Sequence, residues 1–316
     1  MRILTQSQVR DLIKMDVAVQ AVESAFVAYG RGETQMPPKV YLDFPNHNGD
    51  LRAMPAAMGA VAGLKWVNSH PDNPAKYGLP SVMGLYVLSD PATAKPLAML
   101  DATLLTAVRT GAAAAVASKY LGHRHRTFGM IGCGVQSDFL IEAHRVLYPT
   151  IEVVAADRVP TAAERVVERW GGRVGSVADA AACDIVCVAT PSRAPIIGRD
   201  QVQLGAHINA MGADAEGKQE LDAALLQAAS VFVDDFAQAS HSGEINVPLS
   251  KGELKKEDIA GSICDVVAEK ALGRPNAEAI TVFDSTGLAI QDLALAQAIF
   301  EAAKAKGVGI ELDLRA

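Results

Sequence analysis

The residues with the plainest chemical use lie in one short stretch, Thr127-Phe-Gly-Met-Ile-Gly-Cys-Gly-Val-Gln-Ser137. An apolar run, Phe128 to Ile131, stops at Gly132; Gly134 follows two residues on, and a helix-like stretch over 138–147 begins soon after. Strand, tight turn and helix, with glycines where a pyrophosphate must approach the backbone, make an anion seat at a helix N-terminus. Ser137 stands where the usual pattern has its third glycine. About 20 residues further on, a second apolar run, Ile151 to Ala156, ends in Asp157, whose carboxylate can accept from both ribose hydroxyls of an adenosine. This acid would repel a 2′-phosphate, which favours NAD over NADP; the neighbouring Arg158 works in the opposite sense. A glycine-rich turn without a ligand is the plainer alternative, and the acidic end of the next strand argues against it.

A second set is cationic. Lys39, Arg52, Lys65 and Arg109 occupy strand-like or apolar helical positions. A long cation there is costly unless it pairs or binds an anion. In Gly63-Leu-Lys-Trp-Val67, alternation puts Leu64 and Trp66 on one face and Lys65 on the other. Each cation alone reads as a solvated face or a structural ion pair. Together they point to a small anion such as a carboxylate, which a guanidinium grips in a bidentate way. Asp214 follows an apolar strand, at the edge where ligands bind in parallel sheets. It is a candidate acid or base for an amine or imine, with a turn or N-cap role as the alternative.

The elements that must position these groups change character midway. Thr5 to Gln8 spells a capping box, and Asp16 is placed to cap a second helix ended by Gly30 and Gly32. Strand-like runs follow at 39–44, 51–54, 63–67, 82–88 and 96–100, with hairpin logic rather than alternation with helices. Asp101 is placed to cap an Ala-rich helix over 102–121. Strands at 127–131, 151–156, 183–189, 207–211, 231–234 and 280–283 then alternate with helices, which predicts an α/β Rossmann domain with a doubly wound parallel sheet. The resulting division is an α+β domain over 1–118, rejoined by 303–316, and a Rossmann domain over 119–302.

Composition narrows the function classes. The chain has 316 residues, half of them apolar, enough for two domains. No apolar run approaches the roughly 18–20 residues of a membrane span, and the N-terminus has no signal-peptide pattern. A net charge of −7 without a basic run argues against nucleic acid. Cys133, Cys183, Cys187 and Cys264 form no paired motif and read as reduced and buried in a cytoplasmic protein. No metal-ligand spacing is found, and His70, His144, His207 and His241 read as structural or surface residues without partners.

The segments Arg52-Ala-Met-Pro55, Lys65 to Pro74, Val82 to Leu88, Ala107 to Ala113, Ile131 to Ser137, Gly212 to Leu221 and Val282 to Leu288 appear in the order of the ornithine cyclodeaminase/μ-crystallin family, which the chain resembles over nearly its whole length. The resemblance implies that the first domain binds substrate and forms a homodimer, and that the second binds NAD. It implies that Lys39, Lys65 and Arg109 hold a substrate carboxylate, with Asp214 as the acid/base residue near the amine; Arg52 is a further candidate for the carboxylate, and Lys65 a further candidate for moving protons. Gly132, Gly134, Val135, Gln136, Asp157 and Arg158 would hold the dinucleotide, helped by Ser81, Thr110, Thr190, Met211 and Ser285. The family's cyclodeaminases carry a glutamate where this chain has Arg52, which disfavours a substrate with a second amine and leans towards the alanine dehydrogenase branch. The expected reaction is NAD-dependent oxidation of a small L-amino acid, alanine first. A cyclodeaminase, a cyclic ketimine reductase and a non-catalytic binding protein are the alternatives.

Overall fold

The computed structural model describes residues 1–314. Internal contacts divide the chain into unit 1, Met1–Arg109 with the segment from Ala289 onward, and unit 2, Thr110–Leu288. The division falls at 109/110 and 288/289, whereas the change of sequence rhythm put it at 118/119 and 302/303. Packing of helix sides draws this division, and composition along a continuous Ala-rich helix carries no mark of it.

Unit 1 runs β1 (Arg2–Leu4), α1 (Gln6–Leu12), α2 (Met15–Gly30), β2 (Thr34–Gln35), β3 (Val40–Phe44), β4 (Gly49–Met58), β5 (Val61–Ser69), α3 (Asn73–Tyr77), β6 (Val82–Asp90) and β7 (Lys95–Asp101). The Thr5–Gln8 capping box forms in full. Asp16 is not a cap: Lys14 is the N-cap residue of α2 and Asp16 lies in its first turn, where an acid still suits the helix dipole. Strands β4 to β7 form an antiparallel meander, with β1 parallel to β7.

Register decides what this sheet presents. Lys65 lies opposite Met54 on one side and Tyr86 on the other, and Arg52 opposite Val67 and Tyr41. Cross-strand partners share a face, so the cations of β4 and β5 lie on the buried face with Met54, Val67 and Tyr86. On the opposite face Leu64, Trp66, Met83 and Leu85 are exposed, with Val40 and Leu42 of β3 alongside.

Helix α4 (Thr103–Leu121) spans the division, and the Asp101 carboxylate accepts from Leu104 N–H at its start. In unit 2 come β8 (Thr127–Ile131), α5 (Val135–Leu147), β9 (Glu152–Ala156), α6 (Pro160–Trp170), β10 (Arg173–Val174), α7 (Val177–Ala181), β11 (Ile185–Val188) and β12 (His207–Ala210). They are followed by α8 (Ala223–Ala228), β13 (Ser230–Val233), α9 (Phe236–Ser242), α10 (Asn246–Ser250), β14 (Ile259–Ser262), α11 (Ile263–Val267) and β15 (Thr281–Asp284). The strands pair in parallel in the order β10-β9-β8-β11-β12-β15-β13-β14. Chain order reverses at β8, so the turn after β8 is the topological switch point. Alternate residues feed two cores: Ile131, Val186, Val188 and Ile208 pack with α7 and α8, while Phe128, Met130, Ile185 and Cys187 pack with α5 and α6. Burial on both faces explains why these strands read as continuous apolar runs.

The chain returns to unit 1 as α12 (Ala289–Lys306), which packs on α2 and on β4, β5 and β6, and ends in a short strand beside β1, β16 (Ile310–Glu311). Among the described residues no helix is long and apolar enough to cross a membrane, and no group of His, Cys, Asp or Glu could hold a metal ion.

Candidate functional site

In unit 2 the glycine turn is built as its residues demand. Gly132 has φ +90°, and a Cβ there would lie 2.5 Å from Ala189 O, so only glycine fits. Gly134 is the N-cap of α5 with an ordinary φ of −77°, and a Cβ added to it would meet nothing within 4 Å. The protein itself therefore makes no demand for glycine at 134. Val135 is exposed, and Gln136 Oε1 is buried without a hydrogen-bond partner. Asp157 is fixed by two backbone donors: Cys133 N–H to Oδ2 at 2.6 Å and Val159 N–H to Oδ1 at 2.7 Å. Arg158 is exposed. Sequence reasoning missed Arg165 on α6, whose Nη2 donates to Cys133 O at 2.6 Å and ties the turn from outside.

The loops after β11, β12 and β15 are held by buried carboxylates. Glu220 accepts from Thr190 N–H at 2.6 Å and Thr190 Oγ1 at 2.7 Å, and its other oxygen accepts from Gly212 N–H at 2.9 Å. Burial pushes Glu220 up to about 7 despite those bonds. Glu244 accepts from Glu220 N–H and Leu221 N–H, and Asp284 from Ile245 N–H. Burial lifts Asp284 to about 8 and Glu244 well above the usual carboxylate range. Asp234 accepts from Thr286 and Gly287 N–H at 2.7 and 2.8 Å. Next to these, Ser285 Oγ is buried without a partner. Asp214 is half-exposed and pairs with Lys218 at 2.5 Å, and Met211 N–H is taken by Val188 O. A glycine cradle, a 13-residue helix start, a held aspartate and two orphaned buried polar atoms fit a dinucleotide.

In unit 1, Lys65 is 1 % exposed. Its Nζ donates to Asp292 Oδ2 at 2.8 Å and to Thr106 Oγ1 at 3.4 Å. Arg109 Nε reaches Asp292 Oδ1 at 3.3 Å, and Nη1 donates to Gln291 Oε1 at 3.1 Å. Gln291 Nε2 is buried without an acceptor. Burial brings the Lys65 ammonium down to about 7; Asp292 opposes this, while Arg109 and the half-buried Lys39 add to it. Arg52 is paired in a bidentate way with Asp50, at 2.8 and 2.9 Å, and lies over the Tyr41 ring. Ser81 is exposed and Thr110 buried.

Asp292 and Gln291 escaped sequence reasoning. The signal was present: two polar residues in Leu288-Ala-Ile-Gln-Asp-Leu-Ala-Leu295, a helix apolar on every side. His144 and His207 are structural, as expected, but the expectation that they lack partners needs correction. His144 bonds Ser118 Oγ and Leu140 O, and His207 bonds Thr281 Oγ1 and Asn209 Oδ1, inside the unit 2 core. Burial lowers them to about 4 and about 3, so both are neutral structural groups.

A doubly wound sheet with such a turn at its switch point defines a dinucleotide-binding Rossmann protein. The chain belongs to the ornithine cyclodeaminase/mu-crystallin family, whose model matches residues 1–307. It is 50 % identical over 316 residues to an alanine dehydrogenase of Archaeoglobus fulgidus, covering 98 % of this chain and 97 % of the relative. Its structure is similar to that of an archaeal alanine dehydrogenase dimer with bound NAD (TM-score 0.96, 49 % identity, 99 % of each chain). It is also similar to the Δ1-pyrroline-2-carboxylate reductase of Thermococcus litoralis in complex with NADH and L-proline (TM-score 0.93, 32 % identity, 99 % of this chain and 100 % of that one).

Proposed function

We propose that this protein is an NAD-dependent alanine dehydrogenase, converting L-alanine, NAD and water to pyruvate, ammonium and NADH, with release of a proton. The observation that carries this reading is the charge balance of the buried cluster in unit 1. Lys65 and Arg109 share a single acid, Asp292, with Lys39 adding positive charge nearby. A buried excess of cation is costly until an anion neutralises it, and a 2-amino or 2-oxo carboxylate does so. Gln291 Nε2 offers a further buried donor. Half identity to an alanine dehydrogenase over the full chain selects alanine among small amino acids.

Lys39, Arg52, Lys65 and Arg109 hold and orient the carboxylate, which supplies much of the rate of a bound reaction. The bound dinucleotide would supply the hydride acceptor for the α-carbon of the amino acid. Lys65, at about 7, gives or takes a proton near neutrality as water adds to the imino carbon and ammonia leaves. Asp214 is the second acid/base group. Gly132, Gly134, Val135 and Gln136 line the pyrophosphate seat, and Asp157 takes the ribose, with Arg158 beside it. Ser81, Thr110, Thr190, Met211 and Ser285 add contacts. A reducing cytoplasmic setting suits the four free, buried thiols.

A homodimer is part of the reading, held through the outward sheet face of unit 1, where Leu64, Trp66, Met83 and Leu85 lie exposed together. Trp66→Glu is expected to turn a dimer into a monomer in analytical ultracentrifugation; an unchanged dimer places the interface elsewhere. The activity is tested by following NADH formed from a panel of L-amino acids. Net NADH from alanine is expected. Proline from ornithine without net NADH would make it a cyclodeaminase. Reduction of a cyclic imine with no activity on alanine would make it a ketimine reductase.

A further inference from the structure

We propose that Asp292 is the positioning residue of the substrate site in unit 1: its two carboxylate oxygens hold the Lys65 ammonium and the Arg109 guanidinium in fixed relation, one on each oxygen. The inference rests on the dehydrogenase reading above.

Asp292 lies in the first turn of α12 and is 0 % exposed. The helix N-terminus favours its negative charge, and its bonds come from two elements far away in sequence, β5 and α4. Lys65 spends one proton on Oδ2; the Arg109 plane is set by two bonds, Nε to Asp292 and Nη1 to Gln291. Adjacent residues of one helical turn therefore orient both cations. A bidentate carboxylate contact depends on the plane of the guanidinium, so this bracing governs how a substrate is gripped.

Asp292 also sets the proton affinity of its partner. The charged and titratable groups around Lys65 are Asp292 from α12, Arg109 from α4, Lys39 ahead of β3, Arg52 on the same face of β4 and the buried Tyr86 across the strand pair. Among the described residues Asp292 is the acid that raises Lys65 against burial and the other cations. Without it Lys65 gives up its proton at lower pH, and the two cations lose their common anchor.

The test measures kcat and KM for alanine against pH in the wild type, Asp292→Asn and Asp292→Glu. The 13Cε shift of labelled lysines, with Lys65→Ala to identify the signal, follows Lys65 independently of activity. In Asp292→Asn the Lys65 titration and the acid limb of kcat/KM are expected to move together to lower pH by about one unit or more, with NAD affinity unchanged. A fall in kcat with both midpoints unmoved would reduce Asp292 to a packing residue and overturn the proposal. Asp292→Glu keeps the charge but displaces it: the Lys65 midpoint should stay within about half a unit while KM rises about tenfold or more. If Asp292→Asn does not fold, a wild-type KM in Asp292→Glu is sufficient to overturn it. A wild type inert towards every amino and imino acid would instead sink the dehydrogenase reading, leaving the lysine titration to judge the Lys65–Asp292 coupling.

Discussion

The two units bury charge in opposite ways. In unit 1 the buried cations Lys65 and Arg109 converge on one carboxylate, Asp292, through side chains 227 and 183 residues apart in sequence. In unit 2 buried acids, Glu220, Glu244, Asp234 and Asp284, accept from backbone N–H groups of nearby loops, while Glu244 Oε2 and Asp284 Oδ1 are left without a partner. The first arrangement sets two cations against one acid, which the proposed function assigns to a substrate anion. The second spends acid on holding the loops at the carboxyl ends of the strands, where ligands of such sheets bind. One unit thus builds its candidate site from long side chains, the other from backbone fixed by short ones.

The contrast has a pH signature of two signs. Lys65 is lowered from 10.5 to about 7, so the folded state sheds its proton early. That penalty is complete below pH 7 and fades as pH rises to 10.5. Asp284 is raised from 3.8 to about 8, and the folded state keeps its proton. Its penalty is absent below pH 3.8 and grows as pH rises to 8.

The largest expected effect breaks the unit 1 cluster. Lys65→Ala should lower kcat/KM for alanine by about 10²–10⁴-fold, measured by NADH formation, with NAD affinity retained. Activity within threefold of wild type would remove Lys65 from the chemistry and leave unit 1 with only an electrostatic part. A smaller effect sharpens the unit 2 side. In Gly134→Ala the new Cβ meets no protein atom, so the fold should be intact by thermal unfolding while NAD affinity falls about tenfold or more, or 1.4 kcal/mol. Equal NAD binding, by calorimetry, would mean that no ligand approaches there. The smallest effect concerns stability alone. Asp284→Asn keeps the neutral form at every pH. Its melting temperature relative to wild type should rise steadily between pH 4 and 8. A constant difference would show that Asp284 does not titrate in that window.

How much of this was legible beforehand differs between the units for the same reason. The glycine turn, Asp157 and the strand–helix rhythm of unit 2 are local, and each expected strand appears within two residues of its place. The side of β5 on which Lys65 lies was readable from alternation. Arg165 was not, because nothing near residue 165 reveals that a turn 32 residues earlier needs a donor. Asp16 was misread as a cap because Lys14 and Asp16 differ by half a turn, and only the backbone angles decide which residue stands outside the helix.

The sequence by itself determined a parallel nucleotide-binding sheet, a strand-rich unit with Lys65 on the face opposite Leu64 and Trp66, and thereby the class of chemistry. Period-2 and period-3.6 patterns and glycine spacing are properties of neighbours along the chain. Only the tertiary structure decided that Lys65 and Arg109 share Asp292, that Glu220 ties Thr190 to Gly212, and that His144 and His207 are core residues. Desolvation and pairing depend on what distant segments bring to within about 3 Å, and spacing along a chain carries no record of it.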